Sequence, residues 1–238
     1  MRIIAGRHRG TKLHSPPDKA STRPIPDQVK ESLFNLLRGH SEDAHVLDVF
    51  AGTGSIGLEA LSRGAQKVVF IEKDKRMARV LQQNIDRVGR RREAEVVVGD
   101  ALSAHVISRA PRPLNLAFID PPYPMTVDEP TWNRIRRQAA RIVELLADDG
   151  FMALRTPWPF VRKCEKPEPT VDEFEALDAE DMAAGVADTP PPKPEDMPLE
   201  IEGAEGPETH VYRHTAVHLY MRQRHPGGEP AEPRTLEP

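Results

Sequence analysis

The chain predicts an α/β fold, a mostly parallel sheet with helices on both faces. Short apolar runs alternate with helical apolar spacing from His45 to Leu154. A glycine-rich turn with Gly52, Gly54 and Gly57 joins the first run to its helix, as in doubly wound folds. At 238 residues and 38% hydrophobic content, the chain can supply the core that such a sheet needs on each face.

The elements follow in order. Residues 2–6 and 11–14 are β-capable and flank a basic turn, which predicts a small hairpin ended by Pro16-Pro17. Val29, Leu33, Leu36 and Leu37 recur at helical spacing, and Pro24 and Pro26 stand where a helix starts, which predicts a helix over 27–38. Strands are expected at 45–50, 67–72, 95–98, 114–119 and 151–154, and helices at 55–63, 75–88 and 130–146. Asp148-Asp149-Gly150 reads as the turn before the fifth strand, and 209–222 as a closing strand. The organisation is a basic extension over 1–40 and a main domain over 41–222. An acidic, proline-rich insertion at 164–208 interrupts that domain, and a disordered tail is expected over 223–238.

Composition narrows the function classes. The single cysteine, Cys164, excludes an internal disulfide framework and a multi-cysteine zinc site. No apolar run is long enough to span a bilayer, and Met1-Arg2-Ile3-Ile4 lacks the apolar core of a signal peptide. The expectation is a cytoplasmic protein without a membrane partner, and no pattern among the nine histidines suggests a metal site. The net charge of −4 hides a segregation: residues 164–210 hold 15 Asp/Glu against Lys166 and Lys193, so the remainder is basic. The first 40 residues carry eight Lys/Arg against Asp18, Asp27 and Glu31, which suits a phosphate backbone. Arg7, Arg9, Lys12 and Arg23 are the candidate contacts to such a backbone. Arg87, Arg90 to Arg92, Arg134, Arg136, Arg137 and Arg141 rank below them as ordinary solvated surface.

Chemistry concentrates in two places. Gly52, Gly54 and Gly57 satisfy a dinucleotide fingerprint, and Glu72, 18 positions after Gly54, can accept from two ribose hydroxyls. An NAD oxidoreductase is therefore a live alternative. Asp48, four residues before Gly52, would repel a pyrophosphate but favours the ammonium and sulfonium of S-adenosylmethionine. Asp100, after the third strand, can accept from an adenine amine or simply cap the next turn. The second place is Asp120-Pro121-Pro122-Tyr123, directly after the apolar run 114–119. Asp120 and the Pro121 carbonyl can accept hydrogen bonds from an exocyclic amine, Pro122 can fix the turn, and Tyr123 can stack on a base. Two prolines can also do no more than end a strand.

In this order the motifs resemble the RsmD group of 16S rRNA guanine-N2 methyltransferases, within the Rossmann-like class I S-adenosylmethionine-dependent enzymes. The likeness is carried by Arg2-Ile3-Ile4-Ala5-Gly6, Thr22-Arg23-Pro24, Ser32-Leu33-Phe34-Asn35, the Asp48 to Gly54 loop, residues 59–65, Glu72-Lys73-Asp74 and Asp120 to Tyr123. It implies a seven-stranded sheet and S-adenosylmethionine held by Asp48, Phe50, Gly52, Gly54, Glu72, Asp100 and Ala101. It also implies a methyl group passed to a guanine amine at Asp120, Pro121, Pro122 and Tyr123, without a metal. The expected partner is 16S rRNA or the small ribosomal subunit, met by a monomer, so the resemblance implies that the backbone facing Arg7, Arg9, Lys12 and Arg23 is RNA. A DNA adenine-N6 or cytosine-N4 methyltransferase is the alternative with the same tetrapeptide. The 31 positions from Asp120 to Phe151 leave little room for its recognition domain.

Overall fold

The computed structural model describes residues 1–16, 25–161 and 196–224. Arg23, residues 164–195 of the acidic stretch and the tail from His225 lie outside them. One seven-stranded sheet organises the described residues: β1 (His45–Asp48), β2 (Lys67–Glu72), β3 (Ala94–Val98), β4 (Leu114–Ile119), β5 (Leu146–Pro157), β6 (Ala204–Tyr212) and β7 (Thr215–Arg222). Its order is β3-β2-β1-β4-β5-β7-β6. The first five strands run parallel, and β7 enters antiparallel between β5 and β6.

Alternate residues of each strand feed two separate cores, because successive side chains leave a strand on opposite faces. Val46, Val68, Phe70, Leu116 and Phe118 face one side. There α1 (Asp27–Leu36), α2 (Ser55–Ser62) and α3 (Lys75–Val88) cover them. Leu47, Val69, Ile71, Ala117 and Ile119 face the other, under α4 (Ala104–Ile107) and α6 (Glu129–Val143). The helices start and stop on local signals. Asp74 caps α3 by accepting from the Arg76 amide, and Gly89 ends it in the left-handed region at φ 72°. Asp128 caps α6 through the Thr131 amide.

Four expectations change. The N-terminal hairpin forms but is shorter than expected, with one antiparallel bridge between Arg2 and Lys12 and the Ile3 and Leu13 amides bonded to the Thr11 and Met1 carbonyls. Its remaining partners come from α2 instead: Glu59, fully buried, accepts from the Ile4 and Ala5 amides at 2.7 and 2.9 Å. The turn expected at 148–150 lies inside β5, as an irregularity between the Leu114–Leu146 and Leu116–Phe151 pairings. The closing segment is two strands, since Arg213 adopts φ 52° and turns β6 into β7. Finally, the acidic stretch does not stay off the sheet up to residue 208. Met197 and Ile201 are buried, Trp132 donates to the Pro198 carbonyl, Tyr220 donates to the Leu199 carbonyl, and β6 begins at Ala204. Among the described residues no helix is long and apolar enough to cross a membrane.

Candidate active site

The order of the strands reverses between β1 and β4, and ligands of such sheets bind beyond the strand ends at that crevice. Asp48 ends β1 there and Asp120 follows β4. Asp48 is buried, and its Oδ2 accepts from the Gly57 amide at 3.0 Å, one of the free N–H groups at the start of α2. Burial pushes its carboxyl up to about 7; the Gly57 bond opposes the rise, and the charges of Asp120 and Glu72 add to it.

The glycines divide their work. A Cβ on Gly54 would lie 2.3 Å from the Leu81 side chain, and one on Gly57 2.3 Å from the Phe70 ring, so both serve close packing of α2. Gly52 has φ 54°, and a Cβ there would meet nothing within 4 Å, so the loop is open at this point. Glu72 shapes the loop from β2: its two carboxylate oxygens accept from the Gly52 and Asp74 amides at 2.8 and 2.7 Å. Phe50 is half-buried beside the second core, and Ala101 is buried within it. Asp100 takes the capping role, accepting from the Leu102 amide, with Lys73 and Arg134 each 3.9 Å from its other oxygen.

At the tetrapeptide, Pro122 is the N-cap of α5 (Tyr123–Val127), and its carbonyl accepts from the Met125 amide. The strand therefore ends in a helical turn that carries Tyr123 in its first position. Asp120 is gripped from β5 by Arg155, whose Nε and Nη2 donate to the two carboxylate oxygens at 2.6 and 3.0 Å. The same guanidinium donates from Nη1 to the Tyr123 hydroxyl at 3.1 Å, and its carbon lies 5.3 Å from the Tyr123 ring centre.

The basic arm lies elsewhere. The Arg7 amide bonds the Ser62 carbonyl and the His8 amide bonds the Ser62 hydroxyl, at the far end of α2 from the glycine loop. An eight-residue helix separates the two ends by roughly 12 Å. Arg7, Arg9 and Lys12 are exposed. The arm also meets the end of α3, where Arg87 donates to the Lys12 carbonyl and Arg90 to His8. Trp132 is fully buried, while Trp158 is about one-third exposed.

The family model described as "Conserved hypothetical protein 95" matches residues 1–166. Ribosomal RNA small subunit methyltransferase D of Escherichia coli is 36% identical over 187 residues, which are 79% of this chain and 87% of that one. The chain belongs to the RsmD methyltransferase family. Its Haemophilus influenzae namesake is 40% identical over 130 residues, 54% of this chain and 67% of that protein. The solved structure of the Escherichia coli protein yhhF has a TM-score of 0.62 at 28% identity, covering 94% of this chain and 98% of that one. A Salinibacter ruber RNA methyltransferase solved with S-adenosylhomocysteine shares the fold at 16% identity and a TM-score of 0.50, covering 87% of this chain and 98% of its own. The sheet is thus the Rossmann-like class I methyltransferase sheet.

For a family member, the ligand expected at the crevice is cationic, and the residues present fit it. Asp48, Glu72 and Asp120 gather their charges at the ends of β1, β2 and β4, and the loop opens at Gly52. Arg155 is the residue bonded to Asp120 that sequence reasoning misses. Its signal was a lone charged residue at the end of the apolar run 151–154, a place that parallel sheets reserve for function. The buried Lys30 is missed as well. Its Nζ donates to the Arg2 carbonyl and to Ser55 at 2.7 and 3.1 Å, 3.8 Å from Glu59. It is the Lys of an ordinary-looking amphipathic helix.

Proposed function

We propose that this methyltransferase transfers the methyl group of S-adenosylmethionine to the exocyclic N2 amine of a guanine in 16S rRNA. The observation that carries the reading is the Asp120 to Tyr123 turn standing beside Asp48 at the switch point of the sheet. The rRNA comes from the printed names of the Escherichia coli and Haemophilus influenzae relatives, and guanine N2 from the family resemblance.

Asp48, Glu72 and the backbone at Gly52 would hold the cofactor, with Phe50 and Ala101 beside them and Asp100 at its adenine end. When bound, S-adenosylmethionine supplies an electrophilic methyl: the N–C bond forms from the amine lone pair as the C–S bond breaks and its electrons return to sulfur. A guanine amine is a weak nucleophile because its lone pair is delocalised into the ring. Asp120 and the Pro121 carbonyl accept its hydrogens and turn the lone pair toward the methyl, so the acceleration is mostly positioning and electrostatics. Tyr123 stacks on the base and offsets part of the cost of unstacking it. The methylated nitrogen must shed one proton, and Asp120 is the base that already holds it. Burial raises the Asp120 carboxyl, against the pull of Arg155, which makes it a better acceptor than an exposed carboxylate.

Asp120→Ala is expected to bind S-adenosylhomocysteine in calorimetry as the parent does and to lose methyl transfer to 16S rRNA by at least about 100-fold. Unchanged transfer removes Asp120 from the mechanism. Primer extension on rRNA from cells with and without the gene places the methylated base. Modification of DNA instead would favour the DNA reading, against which α5 and α6 occupy most of the interval before β5.

A further inference from the structure

We propose that Arg155 is a positioning residue for the methyl-transfer step, one guanidinium on β5 that fixes Asp120 and Tyr123 relative to each other. The inference rests on the reading of Asp120 and Tyr123 given above, and it adds a residue outside the tetrapeptide. Arg155 is 7% exposed, so its stem is held by the sheet and does not sample solvent. Leu154 beside it pairs with Ile119 of β4, and Arg155 itself pairs with Val217 of β7. The anchor of the guanidinium is therefore as rigid as the centre of the sheet.

The geometry is specific to arginine. Nε and Nη2 span both oxygens of Asp120 while Nη1 reaches the Tyr123 hydroxyl, a three-point contact that needs a planar fork with several donors. A lysine supplies the charge but not the fork. The grip fixes the plane of the Asp120 carboxylate and takes one lone pair from each oxygen. The other lone pair of each oxygen remains for a substrate amine. It also fixes the tilt of the Tyr123 ring, which sets where a stacked base lies relative to Asp120. A base that is stacked and hydrogen-bonded by two independently mobile groups would lose much of the orientation on which an in-line transfer depends.

The charge has a second consequence. Asp120 is faced by Arg155 from β5, by Tyr123 from α5 and by Asp48 from β1, with Glu72 behind Asp48, and the rest of its cavity wall includes Ile25, Leu33 and Ile56. Arg155 is the cation in this set, and without it the effect of burial on Asp120 is unopposed.

The test uses the full chain with Arg155→Gln and Arg155→Lys, read in two ways. In the ligand-free protein, the Asp120 carboxyl is titrated by 13C NMR and assigned by its loss in Asp120→Asn. With S-adenosylmethionine and 16S rRNA, kcat/KM is followed against pH. Arg155→Gln is expected to raise the Asp120 midpoint and the acid limb by about one pH unit or more and to lower kcat by about 10- to 100-fold. S-adenosylhomocysteine affinity stays as in the parent. Arg155→Lys is expected to restore the acid limb and not kcat, because charge returns without the fork. Parent-like midpoint and kcat in Arg155→Gln overturn the proposal. If Arg155→Gln does not fold, Arg155→Lys decides alone, and parent-like kcat in it overturns the proposal. A parent that leaves rRNA unmethylated sinks the functional reading instead, and the ligand-free titration still reports whether Arg155 controls Asp120.

Discussion

Asp48 carries the largest burden for a single residue, because it holds a buried carboxyl near neutrality where the proposed cofactor would bring a cation. Burial raises it to about 7, so near that pH it is roughly half protonated in the free protein. A sulfonium and an ammonium nearby favour the ionised form, so the bound carboxyl titrates lower and binding releases a proton. The sign follows: affinity for S-adenosylmethionine falls by up to about tenfold per pH unit below about 7 and levels off above it. Calorimetry from pH 5.5 to 8.5 checks this, and Asp48→Asn is expected to flatten the curve. A parent curve that is already flat removes Asp48 from cofactor binding. At this scale the sequence announces the residues whose order is itself a motif, such as Asp48, Glu72 and Asp120. It hides those whose meaning is a contact. Arg155 stands 35 positions from Asp120 and becomes a site residue only because β4 and β5 are neighbours in the sheet.

The elements most fully legible were those whose period and punctuation agree. β2, β4 and α3 occupy the residues that apolar spacing assigned to them, since each is bounded by a cap, a glycine or a proline. β6 was not legible. It is an edge strand with many exposed positions and no apolar alternation, and the turn after it uses Arg213 in a conformation that usually advertises itself as Gly or Asn. The N-terminal arm forms a shorter hairpin than expected: the Ile3 and Leu13 amides bond the Thr11 and Met1 carbonyls across it, but the Ile4 and Ala5 amides turn to Glu59 of α2. Glu59 also holds Arg63 at 2.9 Å and neutralises the fully buried Lys30. Glu59→Ala would leave two arm amides and a buried ammonium without that partner. It is expected to cost about 3–5 kcal/mol in denaturant unfolding and to speed amide exchange in residues 1–13. A loss under about 1 kcal/mol would mean that the arm is held by its apolar anchors, Ile3 and Leu13, alone.

Across the whole molecule, charge is sorted by place as well as along the chain. The turn of the arm and the end of α3 bring Arg7, Arg9, Lys12, Arg87 and Arg90 to one surface, although the sequence separates them by some 80 positions. Arg90 is paired with Glu93, whereas Arg7, Arg9 and Lys12 have no carboxylate partner among the described residues. This surface lies at the other end of α2 from the glycine loop, so it suits a phosphate backbone reached over a distance and not the reading of the reacting base. An acidic protein can in this way bind a polyanion, provided that the cations it leaves unpaired are contiguous. Charge reversal at Arg7 and Arg9 is therefore expected to weaken binding to 16S rRNA fragments uniformly across sequences. The slope of log affinity against log salt should become shallower by about 1 to 2, because each lost phosphate contact releases about one counterion fewer. The proposed cofactor site is at the opposite end of the helix, so S-adenosylhomocysteine affinity should stay within about twofold, the range of ordinary surface substitutions. Filter binding from 50 to 300 mM salt gives the slope. A parallel line displaced downward would mean that the substitutions disturbed the arm without removing a phosphate contact, and an unchanged line would move the RNA to another face.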